Sequence, residues 1–342
     1  MKHSALLALL LIPGLPAAGG WNTETLLLHQ RANGGWPKNY DRERQPSAAE
    51  RKKLLADKAK TDTGFDNGAT HTEVRHIANL YRQDPDNTYR LACLRGIDFM
   101  LRAQYPNGGW PQYHPDARGY SRHITFNDGA MIGVMRTLRD IADKPRDYPF
   151  VDEKIRLRCR EAVARGIQCI LDSQIIVDGR KTAWCAQHDE KTLAPRKARS
   201  YELASLSGGE SVGVVQFLMS LENPSAEVVE SIQSAVAWFD RAKLTGIRQV
   251  RKTAKGTPRG YDKVVIEDPN APPLWARFYE IGTNRPIFCS RDGIPRRNLA
   301  DISYERRNGY SWLGHYASDL LGKQYHQWQS RWAPRHDVLK PR

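Results

Sequence analysis

Hydrophobic side chains recur at helical spacing in two stretches of the chain that resemble each other. Residues 92–104 and 162–174 align position by position, and both place apolar residues three or four positions apart around a shared Arg-Gly-Ile sequence. Each stretch ends in a glutamine, Gln104 or Gln174. This spacing is typical of an amphipathic helix that packs one face against a core.

A loop built around a tryptophan follows each of these stretches. The sequence Asn-Gly-Gly-Trp-Pro occurs twice, at Trp36 and Trp110, and the same interval leads from Trp110 to Trp184. After each loop a second amphipathic stretch begins, near Asp66, Asn127 and Ser207. Self-similarity at a fixed interval is the sequence signature of a repeat architecture.

The repeating unit is therefore a helix, a tryptophan loop and a second helix, present about three times. Paired helices in series predict a mainly α protein, an (α/α)3-type toroid with its loops gathered at one end. Equal spacing within a repeat favours a shared packing role for the tryptophans over stacking on sugar rings. A fourth, incomplete unit without a tryptophan loop is predicted to start at residues 228–242.

Two further segments complete the predicted architecture. Residues 256–298 contain six prolines and little helical periodicity, so we expect an ordered, irregular segment with short strands. Residues 312–328 return to a helical pattern. No stretch has the composition of a linker between independent domains, so residues 21–342 are predicted to form one domain.

The first twenty residues have the layout of a secretory signal peptide. Lys2 and His3 precede an apolar run from residue 5 to residue 12, and small residues follow at positions 17–20. We expect residues 1–20 to be removed and the protein to be exported, to the periplasm or to the medium. No later apolar run is long enough to span a bilayer.

The charge of the chain narrows the class of partner. Its 342 residues include 52 Lys and Arg against 38 Asp and Glu, a formal net charge of +14. Nucleic acid, an anionic membrane surface and an acidic polysaccharide would all suit such a protein. The signal peptide and the absence of a recognised reader motif disfavour nucleic acid.

The cysteines do not indicate a disulfide scaffold or a zinc site. The chain has five of them, widely spaced and without a Cys-x-x-Cys pair. We expect small buried residues, with one disulfide bridge as the open alternative.

Oxygen-bearing side chains mark the predicted starts of two corresponding helices. Asp66 and Asn67 lie at one start and Asp128 at the next, so all three could face the same mouth of a toroid. Carboxylate and amide oxygens from two loops can bind a hard cation such as Ca²⁺. Asp and Asn are also the ordinary caps of helices, so capping is the competing interpretation.

Arginines form the second candidate group. Arg196 and Arg199 precede the third repeat's second helix, whereas Arg277 and Arg291 lie in the proline-rich segment beside aromatic residues. The planar guanidinium binds carboxylates through two parallel hydrogen bonds. Solvated surface arginine is the competing interpretation for any one of them.

Six motifs in this order resemble those of the pectate lyases of polysaccharide lyase family 10. The motifs include Asn-Gly-Gly-Trp-Pro, Phe-Asp-Asn-Gly-Ala-Thr and Phe-Asn-Asp-Gly-Ala-Met. They occupy residues 33–40, 65–70, 105–113, 125–131, 195–211 and 274–293. The resemblance extends from about residue 33 to residue 308, which is most of the chain after the signal peptide.

The resemblance implies a reaction and roles for the candidate residues. The reaction is calcium-assisted β-elimination of α-1,4-linked polygalacturonate, the backbone of pectin, which leaves 4,5-unsaturated ends. Ca²⁺ and substrate would be bound by Asp66, Asn67 and Asp128. Arg199 would remove the C5 proton, with Arg196 as the alternative base, while Arg277 and Arg291 would bind uronate carboxylates.

Two other classes of function are compatible with the same residues. An α/α-toroid glycoside hydrolase would use Asp66 and Asp128 as its acid and base. A non-catalytic polyanion-binding protein would need only the basic surface. In each case we expect a monomer that spans no membrane.

Overall fold

The computed structural model describes residues 20–340, so the predicted signal peptide lies outside the described residues except for Gly20. The described chain is mainly helical. Its α-helices are α1 Thr23–His29, α2 Ala48–Ala56, α3 His71–Gln83, α4 Asn87–Arg102, α5 Ala130–Asp143, α6 Glu153–Ser173, α7 Glu210–Met219, α8 Ala226–Arg241, α9 Tyr304–Gly309 and α10 Tyr325–Trp332.

The strands are short except for one hairpin. They are β1 Ile124–Thr125, β2 Ile176–Val177, β3 Arg180–Lys181, β4 Gln187–His188, β5 Pro195–Arg196, β6 Leu206–Ser207, β7 Ile247–Thr253, β8 Tyr261–Glu267, β9 Trp275–Ala276, β10 Phe278–Tyr279, β11 Phe288–Cys289, β12 Pro295–Arg296 and β13 Leu313–Gly314. All pairings are antiparallel, and β1, β4 and β5 form the one three-stranded sheet of the described chain. Five of these strands, β8 to β12, lie within residues 256–298, as the proline-rich composition predicts.

The helices form two rows, which confirms the predicted α/α toroid. The inner row is α3, α5 and α7, each packed against the next, and the outer row includes α4, α6 and α8. The inner helices are the more buried; α5 buries nine of its fourteen residues. Tryptophan loops lead from α1 into α3, from α4 into α5 and from α6 into α7, whereas α8 supplies the incomplete fourth unit without such a loop.

The three repeated tryptophans pack inside the protein. Trp36, Trp110 and Trp184 are fully buried. Each indole N–H donates to a backbone carbonyl of the helix that precedes its loop, at 2.7–2.8 Å. The packing role predicted from their spacing is confirmed, since a buried indole cannot stack on a sugar.

A repeated glutamine links each outer helix to the next. The amide of Gln30 donates to Ala92 O of α4 at 2.8 Å, and that of Gln104 donates to Ala162 O of α6 at 2.8 Å. Gln174 completes the series with a 3.1 Å bond to a carbonyl of α8. Each bond gives a glutamine amide a backbone acceptor on the neighbouring helix, as polar side chains inside a protein require.

The glycines of the tryptophan loops permit a close approach of backbones. Gly34 has a φ of 97°, and a Cβ there would lie 2.3 Å from Arg95 O of α4. At Gly108, with a φ of 89°, a Cβ would lie 2.1 Å from Arg165 O of α6. Only glycine fits such a position, because it has no Cβ and tolerates positive φ.

Helix starts differ between the two rows. The outer helices α4, α6 and α8 begin with side-chain caps from Asp86, Asp152 and Ser225. The inner helices α3, α5 and α7 begin without a side-chain cap. Their first N–H groups donate instead to the preceding loops: His71 N–H to Ala69 O, Ala130 N–H to Asn127 O and Glu210 N–H to Ser207 Oγ.

Other expectations were partly wrong. The predicted helix over residues 312–328 is interrupted: β13 occupies its start, a π-helical turn follows over Leu320–Gln324, and α10 then extends to Trp332. Strand pairing of β13 with β9 overrides the local helical pattern. All five cysteines are buried, as expected, but none forms a disulfide. Within residues 20–340, no helix is both long and apolar enough to cross a membrane.

We predict that Thr70→Val destabilises the protein. Its hydroxyl accepts from Trp36 N–H at 3.0 Å and donates to Gly64 O at 2.8 Å, and all three groups are buried or nearly so. Valine keeps the shape but leaves both backbone groups unpaired, at a cost of about 1–3 kcal/mol each. Equilibrium urea unfolding measures the change.

Thr72→Val is the matched control, because its half-buried hydroxyl donates to Gly68 O at 2.7 Å and to Glu73 Oε2 at 3.4 Å but accepts from no backbone N–H. Equal losses of unfolding free energy in the two variants would contradict the role assigned to Thr70.

Candidate functional site

Two short loops present the predicted metal ligands at the starts of α3 and α5. Each loop is a 3-10 turn, over Asp66–Gly68 and Asn127–Gly129, whose second residue has a left-handed backbone. That residue is Asn67 in one loop (φ 50°) and Asp128 in the other (φ 51°). Asp and Asn tolerate this conformation better than most residues. The correspondence predicted between Asp66 and Asp128 is therefore shifted by one residue, since Asp66 occupies the position of Asn127.

Asp66 is buried and already neutralised. It forms an ion pair with Lys38, and the Tyr113 hydroxyl donates to it at 3.4 Å. Its side chain caps neither the 3-10 turn nor α3, so the capping interpretation is wrong for this residue. Asn67 is exposed and donates to Asn39 Oδ1 at 2.8 Å.

Asp128 is the exposed carboxylate of the pair. Its side chain is 39% exposed and lies 3.9 Å from Arg277 Nη2, and it also accepts from Asn127 Nδ2 at 2.6 Å. Partial burial raises the pKa of Asp128, the Arg277 charge opposes that rise, and the charges of Asp66 and Glu210 add to it. The site therefore holds more negative charge at Asp128 than its own cations balance.

Arg277 connects two of the inner-helix starts. It forms an ion pair with Glu210, the first residue of α7, and donates to Asn127 Oδ1 at 3.1 Å. Its guanidinium lies over the Tyr310 ring at 4.8 Å. Burial alone would lower the pKa of Arg277, but the Glu210 carboxylate, together with Tyr310, Tyr316 and Asp128, raises it overall. Its Nε is buried without a hydrogen-bond partner.

Arg199 is clamped by a carboxylate. Its guanidinium makes two bonds to Glu202, at 2.8 and 2.6 Å, and Glu202 also accepts from the Tyr310 hydroxyl at 2.7 Å. Burial would lower the pKa of Arg199, but Glu202 raises it well above the ordinary value. The sequence suggested a lowered pKa from neighbouring cations; in the ligand-free protein the shift has the opposite sign, because Glu202 is the nearest charge.

The other two candidate arginines are more exposed. Arg196 pairs with Asp189 at 2.9 Å on the outer strand of the three-stranded sheet. Arg291 is 64% exposed and pairs with Glu305 at 3.0 Å. It also lies 5.6 Å from the Tyr201 ring, which Arg199 approaches at 5.4 Å. Arg291 and Arg199 therefore lie beside the same tyrosine ring, which brings Arg291 close to the candidate site.

The described residues contain one triad of His, Cys, Asp or Glu with converging ligand atoms, and it is not the predicted one. His123, Asp189 and Glu190 bring one ligand atom each within 4.8 Å of one another. These groups are already engaged, since His123 and Arg122 pair with Glu190 while Arg196 and two backbone amides bind Asp189. Asp66 and Asp128 do not form such a triad, so the chain offers an open set of oxygen ligands there, with no closed cage.

Four residues of the site were missed by sequence analysis: Lys38, Glu202, Glu210 and Tyr310. Glu202 lies three residues after Arg199, so an i,i+3 ion pair was a readable signal. Glu210 follows the Ser-Gly-Gly segment at the third repeat's helix start, where a carboxylate was foreseeable. No local signal marks Lys38 or Tyr310, whose partners are distant in sequence.

We predict that Asp128→Asn stabilises the chelator-treated protein at neutral pH. A raised pKa means that ionised Asp128 disfavours the native state, and this penalty appears as pH rises through the ordinary carboxyl range of about 4. Asparagine removes the charge and suits the left-handed backbone. Melting temperatures at pH 8 and near pH 4 should show a gain that shrinks toward acid.

Asp262→Asn is the control of opposite sign. Hydrogen bonds from Arg307, chiefly, and from Asn308 lower the pKa of Asp262 to about 2. Its ionised form therefore stabilises the native state down to that pH, and the variant should melt lower at neutral pH. A lower melting temperature for Asp128→Asn at pH 8 would contradict the charge imbalance described for the site.

Proteins of known family and structure resemble this chain in sequence and in fold. The family described as pectic acid lyase matches residues 30–321. A family 10 polysaccharide lyase from Cellvibrio cellulosa, an aspartate-to-alanine mutant in complex with trigalacturonic acid, is 35% identical, with a TM-score of 0.77 over 87% of this chain and 89% of that one. A second structure of family 10 polysaccharide lyase from Cellvibrio cellulosa is 34% identical, with a TM-score of 0.74 over 87% and 88%. A search of curated proteins gave no match. The chain therefore belongs to the pectic acid lyase family, the family 10 polysaccharide lyases.

Proposed function

We propose that this protein is a pectate lyase that cleaves α-1,4-linked polygalacturonate by calcium-assisted β-elimination. The observation that carries the proposal is the grouping of opposed charges at the inner-helix starts of a polysaccharide lyase fold. Asp128 lies within the electrostatic range of Arg199, Arg277, Asp66 and Glu210. Acid–base chemistry on an anionic sugar needs such a mixture of cations and carboxylates.

Three observations support an anionic, galacturonate-based substrate. A relative of this fold binds trigalacturonic acid. The chain carries a formal charge of +14. The uncapped N-termini of α3, α5 and α7 are the positive ends of helix dipoles, which favour anions.

The residues at the two loops fit a Ca²⁺ ion shared with the substrate. Asp128 provides a half-exposed carboxylate whose pKa is raised chiefly by partial burial and further by Asp66 and Glu210, and a bound cation would favour its ionised form. Asp66 and Asn67 supply further oxygens from the neighbouring loop, and their open arrangement leaves positions for uronate oxygens and water. When bound, Ca²⁺ would neutralise the substrate carboxylate and acidify its C5 proton.

The protein's own residues would carry out binding and proton transfer. Arg277, whose side chain is 16% exposed, would bind one uronate carboxylate, and Arg291 would bind a second one. Arg199 would accept the C5 proton, and the C5–H electrons would pass onto C5 and the adjacent substrate carboxylate. The C4–C5 double bond would form from these electrons as the C4–O4 bond breaks, and O4 would leave with a proton from solvent. Arg196 remains the alternative base.

Arg199 can act only in its neutral form, so its ion pair with Glu202 has a direct consequence. The Glu202 carboxylate stabilises the protonated guanidinium, whereas Ca²⁺ and nearby arginines would favour the neutral form once substrate is bound. The rate should therefore rise far into the alkaline range.

Export and assembly are further parts of the proposal. The predicted signal peptide would direct the protein to the periplasm or the medium, where pectic polymers are met. A monomer is proposed, because the candidate site at the starts of α3, α5 and α7, called the groove below, is formed by residues of one chain.

Incubation with polygalacturonate, with and without calcium, tests the reaction. We expect ultraviolet-absorbing unsaturated ends that form with Ca²⁺, disappear with a chelator and return when the ion is restored. Reducing ends without absorbance would indicate the hydrolase that uses Asp66 and Asp128. Binding without any cleavage would indicate a non-catalytic polyanion-binding protein.

We predict that Glu202→Gln moves the alkaline limb of the pH–rate profile to lower pH. Glutamine keeps the size of the side chain and an acceptor for Tyr310, but the charge that favours protonated Arg199 is gone. The Tyr201 and Tyr310 rings and the Asp128 charge, which also face Arg199, are unchanged. Measurement of kcat against pH distinguishes this effect from a structural loss, which would lower kcat at every pH.

Asp189→Asn is the matched control, because Asp189 pairs with Arg196 on the same loop. It should leave the limb in place. A shifted limb in Asp189→Asn together with an unshifted one in Glu202→Gln would identify Arg196 as the base.

A further inference from the structure

The longest strands of the protein form a basic hairpin outside the helical rows. β7 and β8 pair over seven residues each, from Ile247↔Glu267 to Thr253↔Tyr261. Residues 247–263, the hairpin's first strand, turn and start of the second strand, carry six cations and one carboxylate. The cations are Arg248, Arg251, Lys252, Lys255, Arg259 and Lys263.

These cations are not balanced by carboxylates. Arg248 pairs with Asp268, but the other five have no acidic partner within 4.0 Å among the described residues. The single carboxylate, Asp262, faces away to Arg307 and Asn308 of α9. Arg251, Lys252, Lys255 and Arg259 are exposed. The hairpin therefore presents a concentrated positive surface to solvent.

An aromatic ring lies among these charges. The Arg251 guanidinium stands 4.8 Å from the centre of the Tyr261 ring. Arg259, Arg251 and Lys263 together lower the pKa of the Tyr261 hydroxyl, which shows that three cations surround it. A half-exposed ring beside guanidinium groups suits a sugar acid, because the ring packs on the apolar pyranose face while arginine binds the carboxylate.

The hairpin is hydrogen-bonded to Tyr310, whose ring lies beside both Arg277 and Arg199. Lys263 Nζ donates to Tyr310 O at 2.9 Å, and its backbone N–H donates to Asn308 Oδ1 at 2.9 Å. The Tyr310 ring lies 4.8 Å from Arg277 and 6.0 Å from Arg199. The hairpin and the two arginines therefore share Tyr310 as a neighbour.

We propose that the exposed face formed by Arg251, Lys255, Arg259 and Tyr261, the hairpin platform, is a second binding site for polygalacturonate, outside the cleavage groove. It rests on the proposed function, because the ligand is the same acidic polymer. The platform holds a distal uronate segment of a long chain while the groove holds the bond to be cleaved. Short oligomers that fill only the groove do not use it.

The test compares long and short substrates. The variant Arg251→Gln/Lys255→Gln/Arg259→Gln removes three charges from the platform. The ratio of kcat/KM for polygalacturonate to that for trigalacturonate should fall by about tenfold, as expected for three exposed ionic contacts. The wild-type ratio should also fall with added salt more steeply than that of the variant. Tyr261→Val should lower the ratio with the salt dependence retained.

The control variant Lys52→Gln/Lys154→Gln/Lys323→Gln removes the same charge at exposed lysines elsewhere, which also lack acidic partners. It should keep the wild-type ratio. An equal fall in both triple variants, or no fall in the hairpin variant, overturns the platform while the lyase reaction stands. Retention in gels that contain polygalacturonate, run without calcium, gives a second readout that does not need turnover. A wild type that neither cleaves nor is retained would overturn the proposed function together with the platform.

Discussion

The bond from a glutamine amide to the backbone of the next outer helix fixes the spacing of the repeats, and the site depends on that spacing. Gln30, Gln104 and Gln174 make this bond in successive units. The tryptophan loop that follows each glutamine is then held against the neighbouring helix, where glycine permits close approach. The loop in turn sets where each inner helix begins. A loss of register at one glutamine would be passed to an inner-helix start, and so to the relative positions of Asp66, Asp128 and Glu210.

The groove is organised by charge pairs made before any substrate arrives. Lys38 neutralises Asp66, Glu210 holds Arg277, and Glu202 holds Arg199. Preformed pairs fix the side chains in position and reduce the reorganisation needed on binding. They also mean that an incoming uronate competes with carboxylates of the protein for the same cations. Asp128 stands apart from this pattern, because its exposed side chain has only a distant arginine.

The repeat could be predicted from the sequence, but the pairs formed by the charged side chains of the site could not. The repeating unit and the burial of its tryptophans could be predicted from the spacing of Trp36, Trp110 and Trp184, because a shared packing role repeats at a fixed interval. The separate identities of the two polar loops were harder to predict: the left-handed positions fall on Asn67 and Asp128, so equal-looking motifs are offset by one residue. Partners such as Tyr310 come together only when inner-helix starts and the C-terminal segment meet in space. The local sequence pattern does not indicate which distant residues come into contact. For the same reason β13 was predicted as helix, because its partner strand β9 is far away in sequence.

The state of the cysteines has a practical consequence. Cys93, Cys159, Cys169, Cys185 and Cys289 are buried as free thiols, and burial raises the pKa of every one. Thiol reagents attack the thiolate, so these groups are poor targets while the protein stays folded. A cysteine introduced at an exposed position would then be the site that reacts with a maleimide dye, with the native thiols left in place. Fluorescent or spin labels could thus report on individual loops of the folded protein without any prior removal of cysteine.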